Sequence, residues 1–436
     1  MAGYKRLRTL FPDHLGIARG KYIASHLADE GSRFCMTTFA LNFDRDLFPN
    51  EASKMMEGMP DMDLVFDKED IRPSWLDNEA VVIGDLVFHG EPVAASPRQV
   101  LKKAIQDWKD LGFDVVLGLE AEAIVLQPDG NGGWEKWDVP GGHVYGTGLA
   151  QDPIGLFTEI WDIADHMGIQ LESLNSEFDP PQYELTLRYD DALKAADNFF
   201  LFKLMAREIA IKHGLRLTFM GKPFMDMSGN GLHVNFSLFK DGNNAFYDAN
   251  AEDGLTALAK SCIAGVIAKH EALAAICAPT VNAYKRLQPA QLAGYWANWG
   301  YDHRGTTVRV PHTRGKGTRI EQRMSDGGAE PYMTTAAILQ AARLGLVNKL
   351  DVPEAEELDC FENQSTDRCV PSTLNAACDT LEADQELVAA FGKEAADTVI
   401  SIKRYEWEKY ITAVTNWQEQ AESITDWEKE FYLPYL

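Results

Sequence analysis

Two stretches of the sequence place charged or polar residues at every second position, with apolar residues between them. GLEAEA carries Glu120 and Glu122, and SGNGLHVNFS carries His233, Asn235 and Ser237. Side chains two residues apart on a β-strand project from the same face, roughly 7 Å apart along the strand. Solvated strand faces usually carry lysine, glutamate and threonine, so histidine, asparagine and serine here predict a strand that faces a cavity.

Two further stretches add to this polar set. SEFDPPQYELTL places Glu184 on a strand and Glu177 before an Asp-Pro-Pro turn, and TRIEQRMSD alternates Arg319, Glu321 and Arg323. Carboxylates gathered among apolar residues lose hydration at a large cost unless opposite charge is near. Oxygen ligands with one imidazole favour Mg²⁺ or Mn²⁺ over zinc, and five glutamates exceed what one ion needs. We therefore expect two or three such ions per site, bound by Glu120, Glu122, Glu177, Glu184, His233 and Glu321.

Arginines supply the complementary charge. They are Arg286, Arg304, Arg309, Arg319 and Arg323. Guanidinium groups beside divalent cations suit a transferring phosphoryl group or a carboxylate substrate. The sequence has no P-loop or kinase signature, so ATP would bind a different scaffold. Taken singly, such stretches are more often a solvated strand face, a satisfied core histidine or a surface ion-pair ladder, and only the recurrence on four strands predicts a common site.

Charge and cysteine content narrow the class of protein. The 436 residues include 41 Lys+Arg against 66 Asp+Glu, a formal net charge of −25, which argues against nucleic acid or an anionic membrane as partner. The six cysteines form no CxxC pair, and no apolar run approaches the ~20 residues of a membrane span. The N-terminal stretch shows no signal-peptide core. We therefore expect a cytoplasmic protein with reduced thiols that acts on small molecules.

The order of patterns along the chain predicts an α+β fold with two domains. Short β-rich segments fill the first hundred residues, and Ser96-Pro97 opens an amphipathic helix, so we place a small N-terminal domain at 1–96 and a large one at 97–436. Within the large domain, strands alternate with helices expected near 154–168, 189–213, 252–277 and 330–347. We expect the helical tail from 380 to pack on the surface of the large domain.

The chain resembles the glutamine synthetase family over nearly its whole length. The blocks that carry the resemblance are DHLGIARGK, ASPRQVL, GLEAEA, SEFDPPQYEL, SGNGLHVNFSL, NAYKRL, WGYDHRGTTVRVP, TRIEQRMSDGGAEPYM and ITDWEKEFY. The resemblance implies an N-terminal β-grasp domain, a catalytic α/β domain and ATP as co-substrate. It also implies a homo-oligomer, a dodecamer of two hexameric rings, with sites shared between neighbours. The loop ALNFDRDLFP, with Asp44 or Asp46, is the candidate segment that completes the neighbouring site.

The resemblance also implies a role for each matching position. Glu122, Glu177 and Glu184 match the ligands of the ion near the substrate, and Glu120, His233 and Glu321 those of the ion at the nucleotide phosphates. Arg304, Arg309 and Arg319 match phosphate-binding arginines. Arg286 and Arg323 match the arginines that hold substrate. The residues predicted to be catalytic are Arg304, Arg309 and Arg323. Asn235, where histidine is usual, and Ser237 fall in the nucleotide site, and Gly229 and Gly231 in the loop that contacts the amino-acid substrate.

One departure bears on the substrate. In LQPAQLAG, Leu292 stands where glutamine synthetases keep a flap glutamate that helps to take a proton from ammonium. The chain thus resembles the γ-glutamylmethylamide or γ-glutamylpolyamine synthetase branch, which implies an ATP-dependent ligase joining glutamate, or a similar acid, to an organic amine, with Leu292 contacting substrate. Two alternatives stay open: an ordinary glutamine synthetase with another acid in place of Leu292, and a non-catalytic structural relative.

Overall fold

Two small sheets form the first part of the chain. The computed structural model describes residues 3–436, and Met1 and Ala2 of the predicted N-terminal domain lie outside the described residues. The strands are β1 (Arg6–Pro12), β2 (Ala18–Ala24), β3 (Ser32–Cys35), β4 (Asp61–Val65), β5 (Arg72–Pro73), β6 (Glu79–Ile83), β7 (Asp85–Phe88) and β8 (Glu91–Pro92). They pair in the orders β2-β1-β6-β5 and β3-β4-β7-β8. The expected small N-terminal sheet domain is therefore confirmed.

A single large sheet carries the rest of the strands. They are β9 (Asp114–Pro128), β10 (Trp134–Lys136), β11 (Leu171–Ser176), β12 (Gln182–Leu187), β13 (Asp190–Asp191), β14 (Arg216–Thr218), β15 (Leu232–Lys240), β16 (Asn243–Asn244), β17 (Trp299–Tyr301), β18 (Val308–Val310) and β19 (Ile320–Gln322). Its main path runs β11-β12-β9-β15-β19-β18-β17. The long strand β9 lies near the middle and pairs antiparallel with both β12 and β15.

The helices surround this sheet. They are α1 (Pro97–Asp110), α2 (Leu156–His166), α3 (Ala192–Lys212), α4 (Ala257–Ala268), α5 (His270–Cys277), α6 (Ala283–Arg286), α7 (Pro331–Val347), α8 (Leu374–Ala383), α9 (Gln385–Phe391), α10 (Lys393–Ala413) and α11 (Asp426–Tyr432). The single helix expected over 252–277 is instead two, and the first starts only at Ala257, where the Thr256 hydroxyl caps it by accepting from the Ala259 N–H. No helix between residues 3 and 436 is long and apolar enough to cross a membrane.

The strand pairing brings the polar faces together. Glu122 on β9 lies opposite Glu184 on β12, and Glu120 lies opposite His233 on β15. Glu321 on β19 continues the row beyond β15. The intervening apolar residues of β9, which are Leu119, Ala121 and Ala123, are fully buried on the other face. Burial of that face fixes the register, because a slip by one residue would turn the carboxylates into the core.

The C-terminal tail differs from its expected surface position. Glu406, Tyr410 and Tyr432 are buried, and the Tyr432 hydroxyl donates to Glu406 while accepting from the Val281 N–H at 3.0 Å. The carboxylate of Glu428, also buried, pairs with Lys285 on α6. The tail is therefore part of the core of the large domain. The prediction of a surface position was wrong because the many charged residues of the tail are typical of an exposed helix.

Glu330 makes stability depend on pH. It caps α7 by accepting from the Met333 N–H at 2.7 Å, and within the described chain its other oxygen is buried with no hydrogen-bond partner. Burial raises the pKa of Glu330 to about 8. Since the folded pKa lies above the unfolded one, its stabilising contribution is complete below the unfolded pKa and is lost as pH rises through the folded value.

We predict that Glu330→Gln, which keeps the cap and cannot ionise, reduces the fall in melting temperature between about pH 5 and about pH 8. Calorimetric scans across that range measure the effect. Glu172→Gln, at an exposed carboxylate on β11, is the matched control and should leave the wild-type profile unchanged. An unchanged profile in Glu330→Gln would contradict the prediction.

Candidate functional site

Three side chains from three adjacent strands form a first candidate ion site. Glu120, His233 and Glu321 each offer a ligand atom, and these atoms lie within 4.8 Å of one another. His233 Nδ1 is 3.5 Å from Glu120 Oε2 and 3.7 Å from Glu321 Oε1. Within residues 3–436 this buried nitrogen has no hydrogen-bond partner. A buried nitrogen left without a partner beside two carboxylates fits a divalent cation at this position.

A second group shares the histidine. Glu122 and Glu184 lie with His233 in a set whose ligand atoms are within 4.8 Å of one another. The expected third member, Glu177, falls outside both groups and instead accepts from Asn175 Nδ2 at 3.2 Å. His233 is therefore a member of both groups, whereas the resemblance implied that it belongs only to the group at the nucleotide phosphates.

The two groups differ in their electrostatics. Burial, together with the charges of Glu120 and Glu122, raises the pKa of Glu184 to about 7. Burial also acts on Glu321, but Arg323, His233 and Arg309 outweigh it and lower the pKa of Glu321 to about 2. The protein thus compensates the charge of Glu321 and leaves the Glu122–Glu184 pair short of positive charge, which a divalent cation would supply.

Two arginines donate hydrogen bonds to Glu321, and each has a further N–H donor without an acceptor in the described residues. Arg309 Nη1 donates to Glu321 Oε2 at 2.9 Å, and Arg323 Nη1 donates to Glu321 Oε1. Arg309 also pairs with Asp302, a partner that the sequence analysis missed although it lies in the same DHRG block. Within the described residues, Nε of both arginines is buried and has no acceptor. Fixed donors of this kind suit an anionic ligand such as phosphate.

The other predicted nucleotide-site residues have different surroundings. Arg319 Nε donates to Asn235 Oδ1 at 2.9 Å, and Asn235 Nδ2 donates to Glu120 Oε1 at 3.0 Å. The Ser237 hydroxyl donates to the Thr318 carbonyl at 2.8 Å and is buried. Arg304 is exposed. The structure thus joins Asn235 directly to Glu120, and Arg319 to it through Asn235, whereas Ser237 and Arg304 lie outside that network.

A cavity of about 570 Å³ lies beyond Ser237. Phe239, which follows Ser237 on the same face of β15, lines it together with Val116, Tyr189 and Lys316. Ser237 lies opposite Val116 in the strand pairing, so the cavity continues from the polar row of the sheet. The two aromatic side chains form walls that can accept a flat ring, and the lining carries charges of both signs, with Lys316 against Asp190 and Asp191.

The glycine loop closes the other end of the site. The Gly231 N–H donates to Glu122 Oε2 at 2.6 Å. A Cβ at Gly231 would lie 2.6 Å from Arg286 Nη2, and one at Gly229 would lie 2.6 Å from the Gly221 carbonyl, so neither position has room for a side chain. Arg286 is buried and donates to the carbonyls of Met324 and Arg323. The loop thus brings backbone, guanidinium and carboxylate into contact.

Asp179 fixes this loop, a role that the sequence analysis missed. Its Oδ2 accepts from both the N–H and the hydroxyl of Ser228 at 2.6 Å. Asp179 stands in the Asp-Pro-Pro turn after Glu177, which the sequence analysis used only to place Glu177. The turn and the glycine loop are therefore one unit.

Leu292 lies on an exposed segment beside the arginines. Its side chain is 44% exposed, and its carbonyl accepts from Arg323 Nη2 at 3.4 Å. Since Arg323 also contacts Glu321, the backbone at Leu292 is only one side chain away from the first carboxylate group. The leucine therefore presents an uncharged apolar group at the rim of the site.

The two candidate aspartates of the N-terminal loop are bound within their own chain. Lys409 on α10 pairs with Asp44 at 3.0 Å and with Asp46. The Tyr405 hydroxyl also donates to Asp46 at 3.2 Å. Both carboxylates are therefore already paired with a cation of their own chain.

Comparison with known proteins identifies the family. The model described as "Glutamine synthetase, catalytic domain" matches residues 94–421. Glutamine synthetase from Pyrococcus furiosus is 34% identical over 440 residues, covering 98% of this chain and 96% of the relative, and that of Staphylococcus aureus (strain MW2) is 37% identical over 343 residues, covering 76% and 75%.

Solved structures agree with this match. "Apo GmaS without ligand", where GmaS is γ-glutamylmethylamide synthetase, has a TM-score of 0.84 and 28% identity, and covers 98% of this chain and 96% of that one. "GmaS/ADP complex-Conformation 1" has a TM-score of 0.83 and 27% identity, with 99% and 97% covered. The glutamine synthetase fold expected from the sequence is confirmed. The chain therefore belongs to the glutamine synthetase family, whose members are ATP-dependent carbon–nitrogen ligases.

Proposed function

We propose that this protein activates the γ-carboxylate of glutamate as an acyl phosphate and condenses it with an organic amine to give a γ-glutamylamide. One observation carries the choice of amine over ammonia: an exposed leucine at position 292 borders the carboxylate and arginine groups. The likeness to the GmaS structures supports the same choice. We further propose that the chain works as a ring-shaped homo-oligomer, and that its domains are divided near residue 97.

In this proposal the nucleotide lies along β15. The cavity beside Phe239 and Tyr189 receives the base, and the phosphates extend toward Arg319 and Arg309. Glu120, His233 and Glu321 hold one divalent cation, and Glu122 and Glu184, with Glu177 nearby, hold another. Bound cations neutralise charge on the phosphate oxygens during transfer.

The remaining groups bind the acid and the transferring phosphoryl group. Arg286 and the Gly229–Gly231 loop contact glutamate, while the free Nε donors of Arg309 and Arg323 face the charge that develops on phosphate. The amine nitrogen then forms a C–N bond with the acyl carbon as the C–O bond to phosphate breaks. The products are the amide, ADP and phosphate.

Ordinary glutamine synthetase activity is the second candidate. The curated relatives with 34–37% identity are named glutamine synthetase, and this likeness supports ammonia as the nucleophile. A third possibility, a non-catalytic relative, is opposed by the two carboxylate groups and by the unpaired arginine donors, which a purely structural protein has no reason to bury.

We expect an organic amine to be the preferred nucleophile. Purified protein with ATP, Mg²⁺ and glutamate is assayed for ADP release with ammonia and with methylamine, longer alkylamines, polyamines and aromatic amines, and products are identified by mass spectrometry. A γ-glutamylamide formed with a higher kcat/KM than glutamine supports the proposal. Glutamine as the preferred product would favour the second candidate, and no ADP release with any nucleophile would favour the third.

Leu292→Glu should shift the preference toward ammonia. Leucine can bury carbon of the amine at roughly 0.8 kcal/mol per methylene, so a few carbons give a preference of about ten- to a hundredfold, whereas glutamate attracts a small cation and accepts its proton. The ratio of kcat/KM for the best amine to that for ammonia measures the shift. Leu292→Met, similar in size and uncharged, is the control, and an unchanged ratio in Leu292→Glu would contradict the role of this residue.

Divalent cations should stabilise the fold as well as support turnover. Without them, Glu120, Glu122 and Glu184 repel one another, so Mn²⁺ or Mg²⁺ should raise the melting temperature of the chelator-treated protein. Glu184→Gln should raise the melting temperature of the metal-free protein and weaken the Mn²⁺ effect. The exposed carboxylate variant Glu172→Gln should behave as wild type. Chelation that changes neither activity nor melting temperature would show the ion assignment to be wrong.

A further inference from the structure

Asn235 connects the two halves of the candidate nucleotide site. Its amide nitrogen donates to Glu120 Oε1 at 3.0 Å, and its amide oxygen accepts from Arg319 Nε at 2.9 Å. A carboxylate can only accept and a guanidinium can only donate, so these partners fix the orientation of the amide. Asn235 is buried on β15, between β9 and β19.

The contact divides the oxygens of Glu120 between two tasks. Oε1 accepts from Asn235, while Oε2 faces His233 Nδ1 at 3.5 Å, inside the first carboxylate group. Asn235 therefore turns Oε2 toward the place where that group converges. On the other side, Asn235 holds the guanidinium of Arg319 beside the same strand face.

We propose that Asn235 is a positioning residue that links cation binding at Glu120 to nucleotide binding at Arg319. The inference rests on the proposed ATP and divalent-cation chemistry of this site. A cation that orders Glu120 also orders Asn235, and Asn235 in turn orients Arg319 for the phosphates. The reverse order holds equally, because a coupling free energy between two ligands is reciprocal.

An amide suits this task because it does not titrate. Asparagine donates and accepts at once over the whole working pH range, whereas an imidazole loses its acceptor when it is protonated. In the family that this chain resembles histidine is usual at this position, so asparagine gives the link a central residue that does not itself titrate.

The test measures binding as well as turnover. Calorimetric titration of Mn²⁺ into metal-free Asn235→Ala should show affinity about ten- to a hundredfold weaker than wild type, the usual loss when a partner of a metal ligand is removed. Glu321→Ala identifies which Mn²⁺ binding step belongs to the first carboxylate group. Affinity for ADP should fall in Asn235→Ala when Mn²⁺ is present, and KM for glutamate should change less than about twofold.

A double-mutant cycle isolates the link. As a single substitution, Arg319→Ala should weaken both ADP binding and the gain in Mn²⁺ affinity that ADP produces. In the Asn235→Ala protein that gain should already be lost, so adding Arg319→Ala should not reduce it further. Thr186→Val is the matched control, since Thr186 lies opposite Glu120 on the β12 side and its hydroxyl makes no hydrogen bond within the described residues. It should bind Mn²⁺ and ADP as wild type does.

Three results would overturn the proposal. They are Mn²⁺ and ADP affinities in Asn235→Ala within about twofold of wild type, fully additive effects of the two substitutions, or a fall in metal-free melting temperature accompanied by equal losses for glutamate and ADP. The last result would indicate a general packing role. Because the binding measurements need no amine, they test the link even if the amine panel shows that ammonia is the nucleophile.

Discussion

The repulsion among carboxylates gathered on one face of a sheet is the constraint on which the rest of this structure depends. Glu120, Glu122 and Glu184 lie side by side on β9 and β12, and Glu321 joins them from β19. Arg309 and Arg323 compensate only Glu321. The unequal compensation explains why one carboxylate keeps a low pKa and another a raised one, and why the arrangement fits the binding of divalent cations that we propose.

The fold holds this repelling set in place through its apolar side. The alternating apolar residues of β9 are fully buried against the helices, so the strand cannot turn its carboxylates away from one another. Backbone groups add further restraint, since Gly231 approaches Glu122 closely and Asp179 anchors the glycine loop at Ser228. The stability of the core thus supports an arrangement that is unfavourable by itself.

The rim of the candidate site differs in polarity from its centre. The centre contains the charged groups that phosphoryl transfer needs, whereas at the rim Leu292 offers only carbon. A leucine cannot attract ammonium by charge, so under the proposed function selection would depend on apolar contact with the substituent of an amine. Family membership follows from a match over 98% of the chain, whereas the proposed preference for an organic amine rests on a single position.

The sequence by itself determined the polar strand faces, the small N-terminal sheet domain and the glutamine synthetase family, because period-two alternation and the quoted blocks are local patterns. Only the tertiary structure showed that His233 belongs to both carboxylate groups, that Glu177 falls outside them, and that Asp302 and Asp179 support the site. It also showed that the tail lies in the core and not on the surface, since Glu428 of the tail is buried and pairs with Lys285. These facts depend on which strands become neighbours and on contacts between residues far apart in the chain, which no local pattern encodes.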